Sequence, residues 1–210
     1  MPPGGRLLDA GAGERKYQSA CSHLIYVSQD FGEYDGRGDE AGLQTGTWDQ
    51  EELDITCDII DIPEPEASFD AILCTEVFEH LPEPLLAPGE FARLLRPGGL
   101  LILTAPFCSF THFAPYHFCT GFNRYFFEYH LPRYCFDILE IENNGSYFEF
   151  VAQELHRIPW ASERYADDKL TDEEGAALYV LLKALERFSA SDDNSSEFSC
   201  FGLHVLATRT

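Results

Sequence analysis

Short apolar runs recur along the first half of the chain, and each is closed by glycine, proline or an acidic residue. Near-continuous apolar runs of this length are typical of strands buried on both faces of a parallel sheet. Five such strands are predicted, over Arg6–Asp9, Leu24–Ser28, Ile55–Ile60, Phe69–Cys74 and Leu100–Thr104.

Helical patterns alternate with these runs. A stretch over Glu76–Leu95 is interrupted by several prolines and ends at Arg96-Pro-Gly-Gly99. Thr120 is a candidate cap for a helix that runs to about Leu131. A sixth strand over Phe136–Glu142 and a seventh over Cys200–Thr208 complete an α/β pattern of seven strands.

Two segments depart from this alternation. Residues 31–54 are rich in glycine and acids without helical periodicity, which predicts a long loop. Residues 146–198 contain two helical patterns, over Tyr147–Arg157 and Thr171–Phe188, and so form a helical insert between strands six and seven. Thr171 followed by Glu174 is a capping-box signature for the second helix.

Composition and charge limit the possible partners. The 210 residues include 14 Lys and Arg against 36 Asp and Glu, a net charge of −22 that argues against nucleic acid or an anionic membrane as main partner. No apolar run is long enough to span a bilayer, and the start of the sequence lacks the features of a signal peptide. We therefore expect one cytoplasmic domain over residues 1–210. The seven cysteines form no C-x-x-C pair, so we expect reduced thiols and no metal site.

The turn after the first strand carries the most informative chemistry. Asp9 is followed by Gly11 and Gly13, and such glycines let a ligand approach the backbone closely. A dinucleotide fingerprint would need a third glycine where Lys16 stands, which argues against a nicotinamide cofactor. Asp30 and Asp61 follow the second and third strands, at the edge of a parallel sheet where ligands bind. The pattern favours a ligand with hydroxyls and positive charge.

The stretch Leu7–Pro106 resembles the class I S-adenosylmethionine-dependent methyltransferases, specifically their type 11 small-molecule group. The similar motifs are LLDAGAG, CDIIDIP, SFDAILCTEVFEHLPEP and RLLRPGGLLILTAP. The resemblance implies a three-layer Rossmann-like sandwich around a seven-stranded, mostly parallel sheet whose last strand is antiparallel. It also implies S-adenosyl-L-methionine as the cofactor.

The resemblance implies a role for individual residues. Gly11 and Gly13 would flank the methionine part of the cofactor with Asp9 near its amino group, and Asp30 would hold the ribose. Asp61 and the backbone of Ile62 would recognise the adenine. Further cofactor contacts are implied for Tyr17, Cys74, Thr75 and Glu76. Relatives usually carry a helix before strand one, so the short start predicts truncation or another cover for that side.

The aromatic segment Phe107–Phe127 follows strand five, where the resemblance places the acceptor pocket. Its density of rings suits an apolar or ring-bearing acceptor, and we interpret Phe122, Phe126 and Phe127 as packing residues. Candidate catalytic residues are His117, His80 and Tyr116, with His112 as a further candidate base.

The resulting hypothesis is methyl transfer to a small-molecule or glycan-type acceptor. A non-catalytic cofactor-binding module or partner subunit of the same fold is the alternative. The loop over residues 31–54 is interpreted as a flap over the adenine side, with Trp48 pinning it or packing on the cofactor. The helical insert is expected to cover the acceptor site, to form a homodimer interface or to build a local core.

Overall fold

The computed structural model describes residues 1–50 and 52–210. A seven-stranded sheet has the order β3-β2-β1-β4-β5-β7-β6. Strands β1 to β5 pair in parallel, and β7 pairs with β5 in antiparallel orientation. This topology confirms the predicted fold class. The strands are β1 (Arg6–Ala10), β2 (Ile25–Asp30), β3 (Ile55–Thr56), β4 (Phe69–Thr75), β5 (Leu95–Pro106), β6 (Phe136–Asn144) and β7 (Gly202–Arg209).

Four α-helices occur in the described residues. They are α1 (Ala87–Leu94), α2 (Arg124–His130), α3 (Tyr147–Tyr165) and α4 (Asp172–Ser189). The helical stretch predicted over Glu76–Leu95 is shorter than expected, because only a 3₁₀ turn (Phe78–His80) precedes α1. Prolines within this stretch remove backbone donors and prevent one continuous helix.

Two other element ends differ from the sequence prediction. Helix α2 is capped by Asn123, whose side chain accepts a hydrogen bond from the Phe126 backbone, and not by Thr120. Strand β3 has two residues where six were predicted. The chain turns immediately after it, since the Asp58 carboxylate accepts a hydrogen bond from the Ile60 backbone at 3.2 Å. An Asx turn of this kind ends a strand early.

The core lies on both faces of the sheet. Its largest fully buried side chains include Phe69, Phe78, Phe91 and Phe127. Phe122 and Phe127 are buried, and Phe126 packs against the same cluster, as the packing interpretation requires. The strand ends that carry Asp9 and Asp30 are therefore supported by a well-packed core.

The chain divides into two compact units, one of residues 1–142 and 202–210 and one of residues 143–201. The first unit holds most of the sheet with α1 and α2. The second contains α3 and α4, and both begin with a capping box, at Ser146 with Glu149 and at Thr171 with Glu174. The Thr171 cap confirms the sequence prediction. The interpretation of residues 1–210 as one domain stays a prediction.

None of the helices in the described part of the chain combines the length and apolar character that a membrane span requires. No disulfide joins any of the seven cysteines, all of which lie in the described residues, and Cys74 and Cys200 are buried.

Candidate functional site

The turn after β1 brings two glycines against large side chains. Gly11 has φ +78°, and a Cβ there would overlap the side chain of Val77. Gly13 has φ +52°, and a Cβ there would lie 2.6 Å from the Trp48 ring. Both positions thus require glycine for conformation and for space. The close approach that sequence analysis assigned to a ligand is made here by Val77 and Trp48.

Asp30 at the end of β2 organises this turn. Its side chain is 6% exposed, and Oδ2 accepts a hydrogen bond from the Gly13 backbone at 2.9 Å. Oδ1 accepts from the Gly32 backbone and from the Gln50 side-chain amide, both at 3.1 Å. Three donors therefore satisfy the buried carboxylate. Asp30 therefore ties the glycine turn to the loop that follows β2.

Asp9 lies deeper, at 1% exposure. The Tyr26 hydroxyl donates a short hydrogen bond to its Oδ2, whereas Oδ1 is buried and has no hydrogen-bond partner among the described residues. Burial raises the pKa of Asp9 to about 6, although the Tyr26 hydrogen bond and the nearby Lys16 charge oppose the shift. Burial and the same hydrogen bond raise the pKa of Tyr26 as well. Asp9 is thus a buried carboxyl group next to the glycine turn, with one oxygen that lacks a hydrogen-bond donor.

A cavity of about 480 Å³ opens at this carboxyl edge of the sheet. That volume is within the range of small-molecule and cofactor sites. Its walls come from the ends of β1, β2 and β4, from the turn after β3, and from the loops over residues 31–54 and 107–120. Five of the residues predicted from the sequence line it: Gly11, Asp30, Glu76, His80 and Tyr116.

The structure does not bring Asp61 and Ile62 to this cavity. Ile62 is 1% exposed, and its backbone N–H donates to the Glu90 carboxylate at 2.8 Å, on the side of α1. Asp58 and Ile59 line the cavity instead. The apolar run predicted a strand of six residues that extends past this pair, and so it indicated Asp61, the acid that follows the run. The early Asx turn was the missed signal.

The other predicted cofactor contacts lie outside the cavity wall. Cys74 is fully buried in the core, and Thr75, the last residue of β4, is half-buried. Tyr17 is half-buried, with the Lys16 ammonium 4.9 Å from its ring centre. His117 also lies outside the wall, and its Nε2 is 3.1 Å from the Ser109 hydroxyl.

The loop over residues 31–54 folds over the glycine turn in the part that the structure describes. Trp48 packs edge-on against Tyr34 and Phe113, with ring centres 4.9 and 4.8 Å apart. Leu43 forms a parallel bridge with His112, and the Leu43 backbone donates to the Thr111 carbonyl at 3.0 Å. These contacts join the loop to the aromatic segment after β5. The Trp48 contacts are of the kind that the pinning interpretation requires, and Trp48 also lines the cavity.

A group of titratable side chains lies beside the cavity. Glu79 is 1% exposed, and its Oε1 is 3.7 Å from Nε2 of both His80 and His112. Burial lowers the pKa of His80 despite the Glu79 charge. Burial also acts to lower the pKa of His112, but the Glu79 carboxylate and the Phe110 carbonyl outweigh it and raise that pKa. Burial and the neighbouring His112 lower the pKa of His117.

Comparisons with known proteins concern mainly the first half of the chain. Residues 8–103 match the family model described as "Methyltransferase domain". An "Uncharacterized methyltransferase" from Mycobacterium avium (strain 104) is 30% identical over 105 residues, which are 48% of this chain and 39% of that protein. This chain therefore spans well under half the length of that relative.

Solved structures resemble the whole chain in fold. The "[4+2]-Cyclase SpnF" has a TM-score of 0.56 at 19% identity and covers 100% of this chain and 76% of its own. Phosphoethanolamine N-methyltransferase 2 from Haemonchus contortus, in complex with S-adenosyl-L-methionine, has a TM-score of 0.53 at 20% identity, covering 100% of this chain and 49% of its own. At these identities the likeness establishes the fold alone.

Proposed function

We propose that the chain is a class I S-adenosylmethionine-dependent methyltransferase and that it transfers a methyl group to a small-molecule or glycan-type acceptor. The match of residues 8–103 to the methyltransferase family model supports this proposal. The observation that carries this proposal is the cavity at the carboxyl edge of the sheet. It joins Gly11, Asp30 and Glu76 to the Asp58–Ile59 turn.

The residues around the cavity fit S-adenosylmethionine. The Asp30 carboxylate can accept a hydrogen bond from a ribose hydroxyl, which would replace the Gln50 side-chain amide as the donor. Asp58 and the adjoining backbone of Ile59 supply an acceptor and a donor to an adenine edge. The unpartnered Oδ1 of Asp9 and the acidic side chains of Glu33 and Glu76 in the cavity wall suit the positive charge of the cofactor.

The cofactor supplies an already activated methyl group, so the chain has to align and enclose the reactants. Phe31, Tyr34 and Phe113 give the cavity apolar walls that exclude water. Tyr116 and His80 carry polar groups into the same wall. The His80 ring is uncharged at neutral pH because burial lowers its pKa.

The matched acids Asp58 and Asp61 provide the sharpest binding test. Both are exposed and three residues apart, but only Asp58 lines the cavity. Calorimetric titration with S-adenosylhomocysteine should show that Asp58→Asn weakens binding about tenfold or more, the value of a hydrogen bond to a charged group. Asp61→Asn should bind like the parent. Absence of binding by the parent protein would overturn the proposal.

The second candidate function is a non-catalytic module that keeps the pocket. It is favoured by Trp48, whose ring packs against Gly13, and by Gln50, whose amide already donates to Asp30. Transfer of a labelled methyl group into a cell extract separates the two functions. A methyltransferase labels a product that identifies the acceptor, whereas a module that binds the cofactor labels nothing.

A further inference from the structure

Glu79 is a buried acidic side chain beside the cavity. It is 1% exposed, and neither of its carboxylate oxygens has a hydrogen-bond partner. A buried carboxylate without hydrogen-bond donors has lost its hydration, so it favours a positively charged partner. The nearest polar atoms are two imidazole nitrogens, both 3.7 Å from Oε1. That spacing is too long for hydrogen bonds.

Both imidazoles are held in the tautomer that suits a ligand. His80 Nδ1 is 2.5 Å from the Tyr116 carbonyl, and His112 Nδ1 is 2.8 Å from the Phe110 carbonyl. A carbonyl only accepts, so each Nδ1 must carry the proton. In the neutral ring the lone pair then lies on Nε2, the atom that faces Glu79. Histidine ligands of metal ions are usually fixed in this way.

The ligand atoms also have a suitable spacing. The three atoms all lie within 4.8 Å of one another. An ion with bonds of about 2.0–2.2 Å holds tetrahedral ligands about 3.4 Å apart, so the two 3.7 Å pairs need to close by a few tenths of an ångström. The remaining pair of ligand atoms, which lies within 4.8 Å, needs to close by up to about 1.4 Å, a shift that side-chain rotation can supply.

The backbone fixes this arrangement from two sides. The Glu79 carbonyl accepts hydrogen bonds from Phe118 and Cys119, at 2.9 and 3.1 Å, which fastens the aromatic segment to Glu79. The bridge between Leu43 and His112 holds the second histidine.

We propose that Glu79, His80 and His112 form a binding site for a divalent transition-metal ion, with Zn²⁺ as the ion that best suits two imidazoles and one carboxylate. Three protein ligands leave a coordination position open, as in metal sites that hold water or a substrate oxygen. His80 also lines the cavity, so the site adjoins the proposed acceptor side. The expectation of no metal rested on the cysteine pattern, and this site uses none. The proposal stands whether or not the protein transfers methyl groups.

Co²⁺ is the probe for this site, because its visible absorption reports the ligands. Titration of the metal-free full chain should saturate at one equivalent, with ligand-field bands and without the near-ultraviolet band of a thiolate ligand. His112→Asn should weaken Co²⁺ binding on the order of a hundredfold or more, since even indirect partners of a ligand are worth about 10–100-fold. Glu79→Gln should do the same, and Zn²⁺ should displace Co²⁺ from the parent.

His23→Asn is the matched control, because His23 is exposed and distant in sequence from the cluster. It should bind Co²⁺ like the parent. Circular dichroism of each variant without metal establishes whether it is folded. If Glu79→Gln does not fold, His112→Asn still tests the site, because His112 lies in a loop where a substitution disturbs the fold less. The proposal is overturned if the parent gives no ligand-field bands. That is the result expected if Glu79 forms only an ion pair with a protonated His112 and binds no metal. Bands that His112→Asn leaves intact, or a thiolate band, would overturn it equally.

Discussion

Replacement of Asp9 by asparagine should stabilise the protein increasingly as the pH rises. Asp9 is buried with one oxygen unpartnered, and its pKa is about 6 against the ordinary 3.8. The folded chain therefore binds this proton more tightly than the unfolded chain does. Stability falls as the pH rises from about 4 to about 6, and above that the loss is complete.

The size of the effect follows from the shift. A difference of about two pKa units corresponds to about 3 kcal/mol of destabilisation at pH 8 relative to acid pH. About 1.4 kcal/mol of that develops between pH 5 and pH 8. An uncharged asparagine does not titrate, and its carbonyl can still accept the Tyr26 hydroxyl. The gain of the variant over the parent should therefore grow by about 1.4 kcal/mol across this range.

Urea unfolding followed by far-ultraviolet circular dichroism, at pH 5, 6, 7 and 8, measures this difference. Asp137→Asn is the control, since Asp137 is exposed on β6 and its replacement tests for a general effect of net charge. If the stability difference between Asp9→Asn and the parent is constant with pH, the burial argument for Asp9 is wrong. The same variant should bind S-adenosylhomocysteine more weakly if Asp9 serves the cofactor amine.

Three further predictions concern the backbone, a helix cap and the thiols. Gly11→Ala should destabilise by ~1–3 kcal/mol more than Gly98→Ala in urea unfolding, because the two share nearly the same φ (+78° and +77°) but only Gly11 has a neighbour to displace. Equal losses would contradict this. Thr171→Ala should lower protection of the first amides of α4 by about 1 kcal/mol in hydrogen exchange, and unchanged protection would argue against the capping box. Mass-resolved alkylation of the native protein should modify the exposed Cys108 before the buried Cys74, whose pKa burial raises. Equal rates would contradict the buried placement.

The parts of the fold that depend on local sequence were predictable. Apolar runs located the strands of the parallel sheet, and the Thr171–Glu174 spacing located the start of α4. The end of β3 was wrong, because Asp58 and Asp61 are equally plausible strand ends in sequence. Only the turn geometry decides which acid reaches the cavity.

The candidate site was less predictable where it depends on contacts between distant segments. The Glu79–His112 approach joins residues 33 positions apart and needs the bridge from Leu43. Trp48 against Gly13 likewise depends on how the loop over residues 31–54 folds back. No periodicity encodes such contacts, since the loop has no regular hydrogen-bond pattern to fix its path.

The position of Trp48 also allows the cavity to be followed by intrinsic tryptophan fluorescence. The chain has two tryptophans, and Trp160 belongs to the helical unit of residues 143–201. Trp48 lines the cavity and touches the glycine turn. Intrinsic fluorescence of Trp160→Phe thus reports only on the cavity, and that of Trp48→Phe only on the helical unit. The melting of each unit and the filling of the cavity are accessible without any added label.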